Sequence, residues 1–221
     1  VYKRQLYIRE NEIHIWCIRW PEMTDFWKNH EYILSGQELE QAGRFRFPED
    51  RMRYIAGKVV VRILLKRYLD METIDFSVNE LGKPYHKEIA GKQTVNFNIS
   101  HSGEFILEGF AVGMDIGVDV QEMAGCPDYR EIAGNFYTAE EAEDVINEGP
   151  ELFFQYWAAK EAYVKAIGIG LGRGMDFFSV RNGEITEKGR KGQGWHLYPV
   201  KIEGYAAYVA AHKKGDKSNE L

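Results

Sequence analysis

Two periodicities alternate along this chain, and their order gives the first expectations. Over residues 2–20 apolar side chains recur at every second position, Leu6 and Ile8 and then Ile13, Ile15 and Cys17. Strand side chains alternate between faces, so this pattern predicts strands. A helical region follows over 25–43. Beyond Pro48 the spacing changes to threes and fours, with Met52, Ala56, Val59, Val60 and Ile63 on one stripe and Asp50 as the candidate cap. A second strong helix is predicted over 150–167, where Phe153, Tyr156, Trp157, Val164 and Ile167 form the stripe.

The pattern then repeats. Asp75-Phe76-Ser77-Val78 follows the first strong helix, and Asp176-Phe177-Phe178-Ser179-Val180 follows the second about a hundred residues later. Each is succeeded by two strand-like segments, 95–99 and 105–112 in the first half, 194–200 and 205–212 in the second. The fold class expected is α+β, two similar subdomains packed as a pseudo-dimer, each a helix-backed and mainly antiparallel sheet. The halves are 1–111 and 112–221, with a polar tail from about 213, and their junction is a favoured place for a ligand cleft.

Composition narrows the class. The chain has 221 residues, 44% hydrophobic and 14% aromatic, which suits a folded core and not a disordered chain. No stretch approaches the roughly 20 apolar residues of a membrane span, and no basic start with a short apolar core reads as a signal peptide. Cys17 and Cys126 have no metal-ligand spacing and read as ordinary thiols in a reducing compartment, so a cytoplasmic protein without membrane partners is expected. The six histidines form no HExxH or His/Cys cluster, which argues against zinc. A net charge of −6 argues against nucleic acid. The basic residues of 44–67 are mostly explained by a solvated helix face; an anion site around Arg44 and Arg53 is the sharper reading.

Candidate chemistry lies in four segments. Glu161 and Lys165 are one helical turn apart, an ordinary surface pair by itself, but their helix exits through Gly168-Ile169-Gly170-Leu171-Gly172, where backbone can approach a ligand. In 112–121, Val112, Met114, Ile116, Val118 and Val120 take one face, and Asp115, Gly117, Asp119 and Gln121 take the other. That polar face either meets solvent or lines a cleft, where carboxylates need a partner or a cation. Oxygen ligands of this kind suit magnesium. Asn96-Phe97-Asn98-Ile99-Ser100-His101-Ser102-Gly103 is either a plain hairpin turn or an anion cradle, and Leu81-Gly82-Lys83-Pro84 is a bend that presents Lys83.

Gly82-Lys83-Pro84, Phe97-Asn98-Ile99-Ser100-His101-Ser102, Gly117-Val118-Asp119-Val120-Gln121 and Trp157-Ala158-Ala159-Lys160-Glu161-Ala162 through Lys165 stand in the order found in one family. The chain resembles the 4′-phosphopantetheinyl transferases of the surfactin-synthetase type, from about Arg44 to Val180. The resemblance implies transfer of 4′-phosphopantetheine from coenzyme A to a serine of an apo acyl, polyketide or peptidyl carrier protein, releasing adenosine 3′,5′-bisphosphate. It implies magnesium, with manganese as the alternative, on Asp119, Glu161 and Gln121. Glu161 and Lys165 would be catalytic. Lys83, Ser100, His101, Lys160, Arg44 and Arg53 would contact coenzyme A.

Two departures from the family pattern stand out. Glutamate is the type member's residue where this chain has Gln121. The type member's basic residues upstream of the Arg-Phe segment fall here at about Glu38 and Gln41. The competing readings are a coenzyme A- or carrier-binding homologue with weakened catalysis, and a magnesium-dependent phosphodiesterase. A monomer suffices for the site in each case.

Overall fold

A computed structural model describes residues 5–78, 84–86, 91, 93–170, 174–187, 190–192 and 194–213. The first part of the chain forms β1 (Ile13–Arg19), α1 (Thr24–His30), α2 (Gly36–Gly43), α3 (Pro48–Leu69), β2 (Phe76–Val78), β3 (Pro84–His86), β4 (Val95–Ser102) and β5 (Phe105–Val112). The second forms β6 (Met114–Glu122), α4 (Tyr129–Phe136), α5 (Ala139–Glu148), α6 (Pro150–Ile167), β7 (Phe178–Ser179), β8 (Thr186–Glu187), β9 (Arg190–Lys191), β10 (Trp195–Pro199) and β11 (Tyr205–Lys213).

Two antiparallel sheets carry the fold, ordered β1-β5-β4 and β10-β11-β6. In both, a hairpin (β4–β5 or β10–β11) receives on its second strand the strand that precedes the long helix. Helix α3 covers the first sheet, burying Ile55, Val59 and Leu65 with Phe97, Ile106 and Phe110. Helix α6 covers the second, with Ala162, Val164 and Ala166 packed near Ala210. The architecture is α+β, as the pattern predicts.

The sheets meet along β6. Its Ile116, Val118 and Val120 join Leu107 and Ala111 of β5 in one apolar cluster. Gly109 makes room for that contact: a β carbon there would stand 2.7 Å from Val118 Cγ1. Beside this cluster the edge of β6 is joined to β4 by side chains. Asn96 Nδ2 donates to Met114 O at 2.6 Å, and the amides of Val118, Val120 and Glu122 donate to Asn98 Oδ1, Ser100 Oγ and Ser102 Oγ. Every second residue of β4 thus satisfies backbone groups that would otherwise be orphaned at a buried strand edge.

Three local expectations are corrected. Leu6 and Ile8 lie outside any strand; Ile8 is buried against the α3 core and Leu6 N bonds Arg67 O, so their alternation reports burial, not sheet pairing. The region 25–43 is two helices, because Ser35 and Glu38 form a capping box that restarts the chain at α2. Asp50 does not cap α3. Pro48 takes the first helical turn, where its missing N–H costs nothing, Phe47 is the N-cap, and Asp50 pairs with Arg53 at 3.3 Å.

Candidate active site

Gly117 sets the site. Its Cα lies so close under α6 that a β carbon would overlap the carbonyl oxygen of Ala162 and the backbone of Ala166. The polar face of β6 is therefore pressed against α6 and is not a solvent face. Two residues along that face, Asp119 is only 1% exposed and meets the side of α6 that carries Glu161 and Lys165.

Asp119 is surrounded by donors. Lys165 Nζ lies 2.5 Å from its Oδ1, Ser100 Oγ donates to the same oxygen at 2.7 Å, and Gln121 Nε2 donates to Oδ2 at 2.8 Å. Lys165 also donates to Ser100 Oγ at 3.0 Å. Three segments singled out in the sequence, those of Ser100, Asp119 and Glu161, come together here. The Ser-His-Ser stretch belongs to β4 and not to the turn, which lies at Gly103 and Glu104, so Ser100 points at β6 while His101 points to the α3 side.

Glu161 is buried, and among the described residues its carboxylate has no hydrogen-bond partner. Burial pushes its pKa up to about 7; Lys165 opposes the shift and Asp119 adds to it. The pKa of His101 is lowered by desolvation and by the charges of Arg53 and Lys165. Arg53 reaches Asp50, and its Nε is enclosed without a partner among the described residues.

Other expected site residues lie elsewhere. Lys160 cannot contact a ligand: it is fully buried, paired with Glu141 at 2.7 Å and bonded to the carbonyls of Met175 and Phe178. One position before Glu161, it is turned about 100° round α6 from that residue and meets Glu141 of α5, and desolvation lowers its pKa. Arg44 makes an exposed pair with Glu40. Glu38, one of the two upstream departures, is committed to Arg62 at 2.7 Å inside the first half. Lys83 lies outside the described residues. The acceptor roles of Asn98 and Ser102 escaped the sequence reading, although the strict alternation of Asn96, Asn98, Ser100 and Ser102 carried the signal.

The donor set fits a hard divalent cation. Asp119 and Glu161 supply oxygen from adjoining elements, and a buried carboxylate without a partner, as in Glu161, is costly unless protonated or bound to a cation. Gln121 was expected as a third ligand; its amide nitrogen faces Asp119 instead.

Ser100, Asp119, Glu161 and Lys165 thus meet where β4, β6 and α6 come together. A model of the 4′-phosphopantetheinyl transferase superfamily matches residues 115–211, and a model described as 4′-phosphopantetheinyl transferase, N-terminal, matches 18–109. HetI, a 4′-phosphopantetheinyl transferase of Nostoc sp., is 31% identical over 76% of this chain and 73% of its own. Sfp of Bacillus subtilis, named as the same kind of enzyme, is 34% identical over 67% of this chain and 66% of its own. A putative 4′-phosphopantetheinyl transferase of Synechocystis sp., slr0495, is 34% identical over 66% of this chain. The chain spans 62% of that relative's length. This chain belongs to the 4′-phosphopantetheinyl transferase family.

Proposed function

We propose that this protein transfers 4′-phosphopantetheine from coenzyme A to a serine hydroxyl of an apo acyl, polyketide or peptidyl carrier protein. The observation that carries the reading is the meeting of Asp119, Lys165 and Glu161, whose carboxylate has no hydrogen-bond partner among the described residues, at the seam of the two sheets in a chain of this family. Subdomains 1–111 and 112–221 would supply the two walls, and one copy of the chain would suffice.

The serine oxygen attacks the phosphorus that bears the pantetheine arm, and the bond from that phosphorus to the bridging oxygen breaks. Adenosine 3′,5′-bisphosphate leaves with the electron pair. Glu161, directly or through a water, accepts the serine proton, a role suited to a carboxyl with a pKa near 7. Lys165 swings from Asp119 to the leaving phosphate and meets its charge. Ser100 and His101 line the approach to the phosphates, and Arg53 adds its charge beside His101. Asp119 and Glu161 would hold magnesium or manganese, which when bound supplies positive charge to the diphosphate oxygens.

The test is incubation with coenzyme A, magnesium and a panel of apo carrier proteins, followed by intact-mass measurement. A carrier heavier by one phosphopantetheine group supports the reading, and the panel ranks the carriers. Tight coenzyme A binding with every carrier unmodified would point to the binding homologue. Release of free phosphopantetheine without a carrier would point to the phosphodiesterase.

A further inference from the structure

Gln121 is the residue whose placement has the widest consequence. It stands two positions from Asp119 on the same face of β6, and its Nε2–H donates to Asp119 Oδ2 at 2.8 Å. An amide whose nitrogen faces the carboxylate turns its oxygen away from that carboxylate. Asp119 Oδ1 is meanwhile held by both Ser100 and Lys165. Three internal donors thus face this buried carboxylate, two on Oδ1 and one on Oδ2.

The charges balance accordingly. Asp119 and Glu161 are the two acids of the cluster and Lys165 is its cation. A third carboxylate at position 121 would add a further negative charge, to be relieved by a proton or a cation. With glutamine there, no group of three or more His, Cys, Asp or Glu side chains able to hold a metal comes together among the described residues. Magnesium dehydrates reluctantly and is commonly bound through one or two carboxylates together with substrate phosphates.

We infer that the free protein has no standing divalent-cation site, and that Gln121 makes it recruit magnesium only together with the diphosphate of its substrate. Gln121 is then a positioning residue that orients Asp119, not a ligand. The diphosphate draws Lys165 off Asp119, which frees Oδ1 as the phosphate oxygens arrive to complete the coordination. Binding of the two is reciprocal: the cation tightens the diphosphate by the factor that the diphosphate tightens the cation. This inference rests on the proposed transferase reading.

Titration calorimetry tests it on the whole protein. Magnesium alone should give no binding heat with the native chain in the low-millimolar range, whereas Gln121→Glu should bind magnesium alone about tenfold more tightly or better. Native-chain affinity for coenzyme A should rise at least about tenfold when magnesium is added. Magnesium binding to the native chain alone, as tight as to Gln121→Glu, overturns the inference. So does a coenzyme A affinity indifferent to magnesium, a result that needs no variant to fold. Neither outcome depends on whether a carrier is modified, so the inference and the transferase reading fail separately.

Discussion

Lys165 Nζ lies 2.5 Å from Asp119 Oδ1, and Ser100 from the other sheet donates to that same oxygen. One carboxylate is therefore the point where α6, β6 and β4 are tied together. The tie joins stability to chemistry, because the lysine assigned to the leaving phosphate is also the counter-charge of a buried acid. Lys165→Met should lower stability by about 2–3 kcal/mol, since Asp119 is left with only neutral donors. Carrier modification should fall about a hundredfold beyond any loss of folded protein. Thermal melts and single-turnover rates on the same preparation separate the two effects.

Gly117→Ala adds one methyl group where α6 backbone already touches β6. Backbone cannot yield as a side-chain tip can, so α6 must shift away from the strand. The expected cost is about 1–3 kcal/mol of stability. Glu161 and Lys165 move off Asp119 with the helix, and activity should fall far more than stability. Gly109→Ala, which meets only Val118, Ile116 and Ile15 side chains, should cost stability with a smaller effect on rate.

Two carboxyls give the pH profile its sign. Glu161 is raised to about 7, and Glu108, fully buried with neither oxygen partnered among the described residues, is raised well above its ordinary value by burial, with Lys58 opposing. Both bind a proton more tightly folded than unfolded. Their share of stability is complete below the unfolded pKa near 4.5 and is lost as pH rises through the folded value. Melting temperature should accordingly decline from about pH 5 toward pH 8. Glu161→Gln should remove the part of that decline that runs from about 4.5 to about 7. Glu108→Met should stabilise the protein at pH 8 by about 1–3 kcal/mol and leave transfer unchanged, because an unpaired buried acid is replaced by a side chain of similar size.

Lys160→Met strands Glu141, which also accepts from the amides of Val180 and Thr138. Breaking a fully buried pair should cost about 3–5 kcal/mol. Adding Glu141→Gln removes the stranded charge and should restore part of the loss. The KM for coenzyme A of whatever folds should be unaltered, which separates this lysine from Lys165 five residues on.

The long helices, the hairpins and the α+β class were legible in the sequence because their apolar spacing is dictated by burial on one face. The meeting of Asp119 with Glu161 was legible only through the resemblance, since two segments forty residues apart carry no spacing that joins them. The role of Lys160 was not legible. The resemblance offers Lys160 as a coenzyme A contact, and only the fold sets its counter-charge, Glu141 on α5, against it. Gln121 entered as a ligand through the resemblance, and only the fold shows its amide nitrogen facing Asp119. The β4 alternation was visible, but the edge it serves belongs to the other half.

The central claim is that Glu161 performs the proton transfer at a site built on Asp119. Intact-mass measurement of an apo carrier incubated with coenzyme A, magnesium and each of three folded proteins tests it most directly. The native chain should add one phosphopantetheine group, Gln121→Ala should add it more slowly, and Glu161→Ala should add none. Transfer by Glu161→Ala at the native rate would contradict the account.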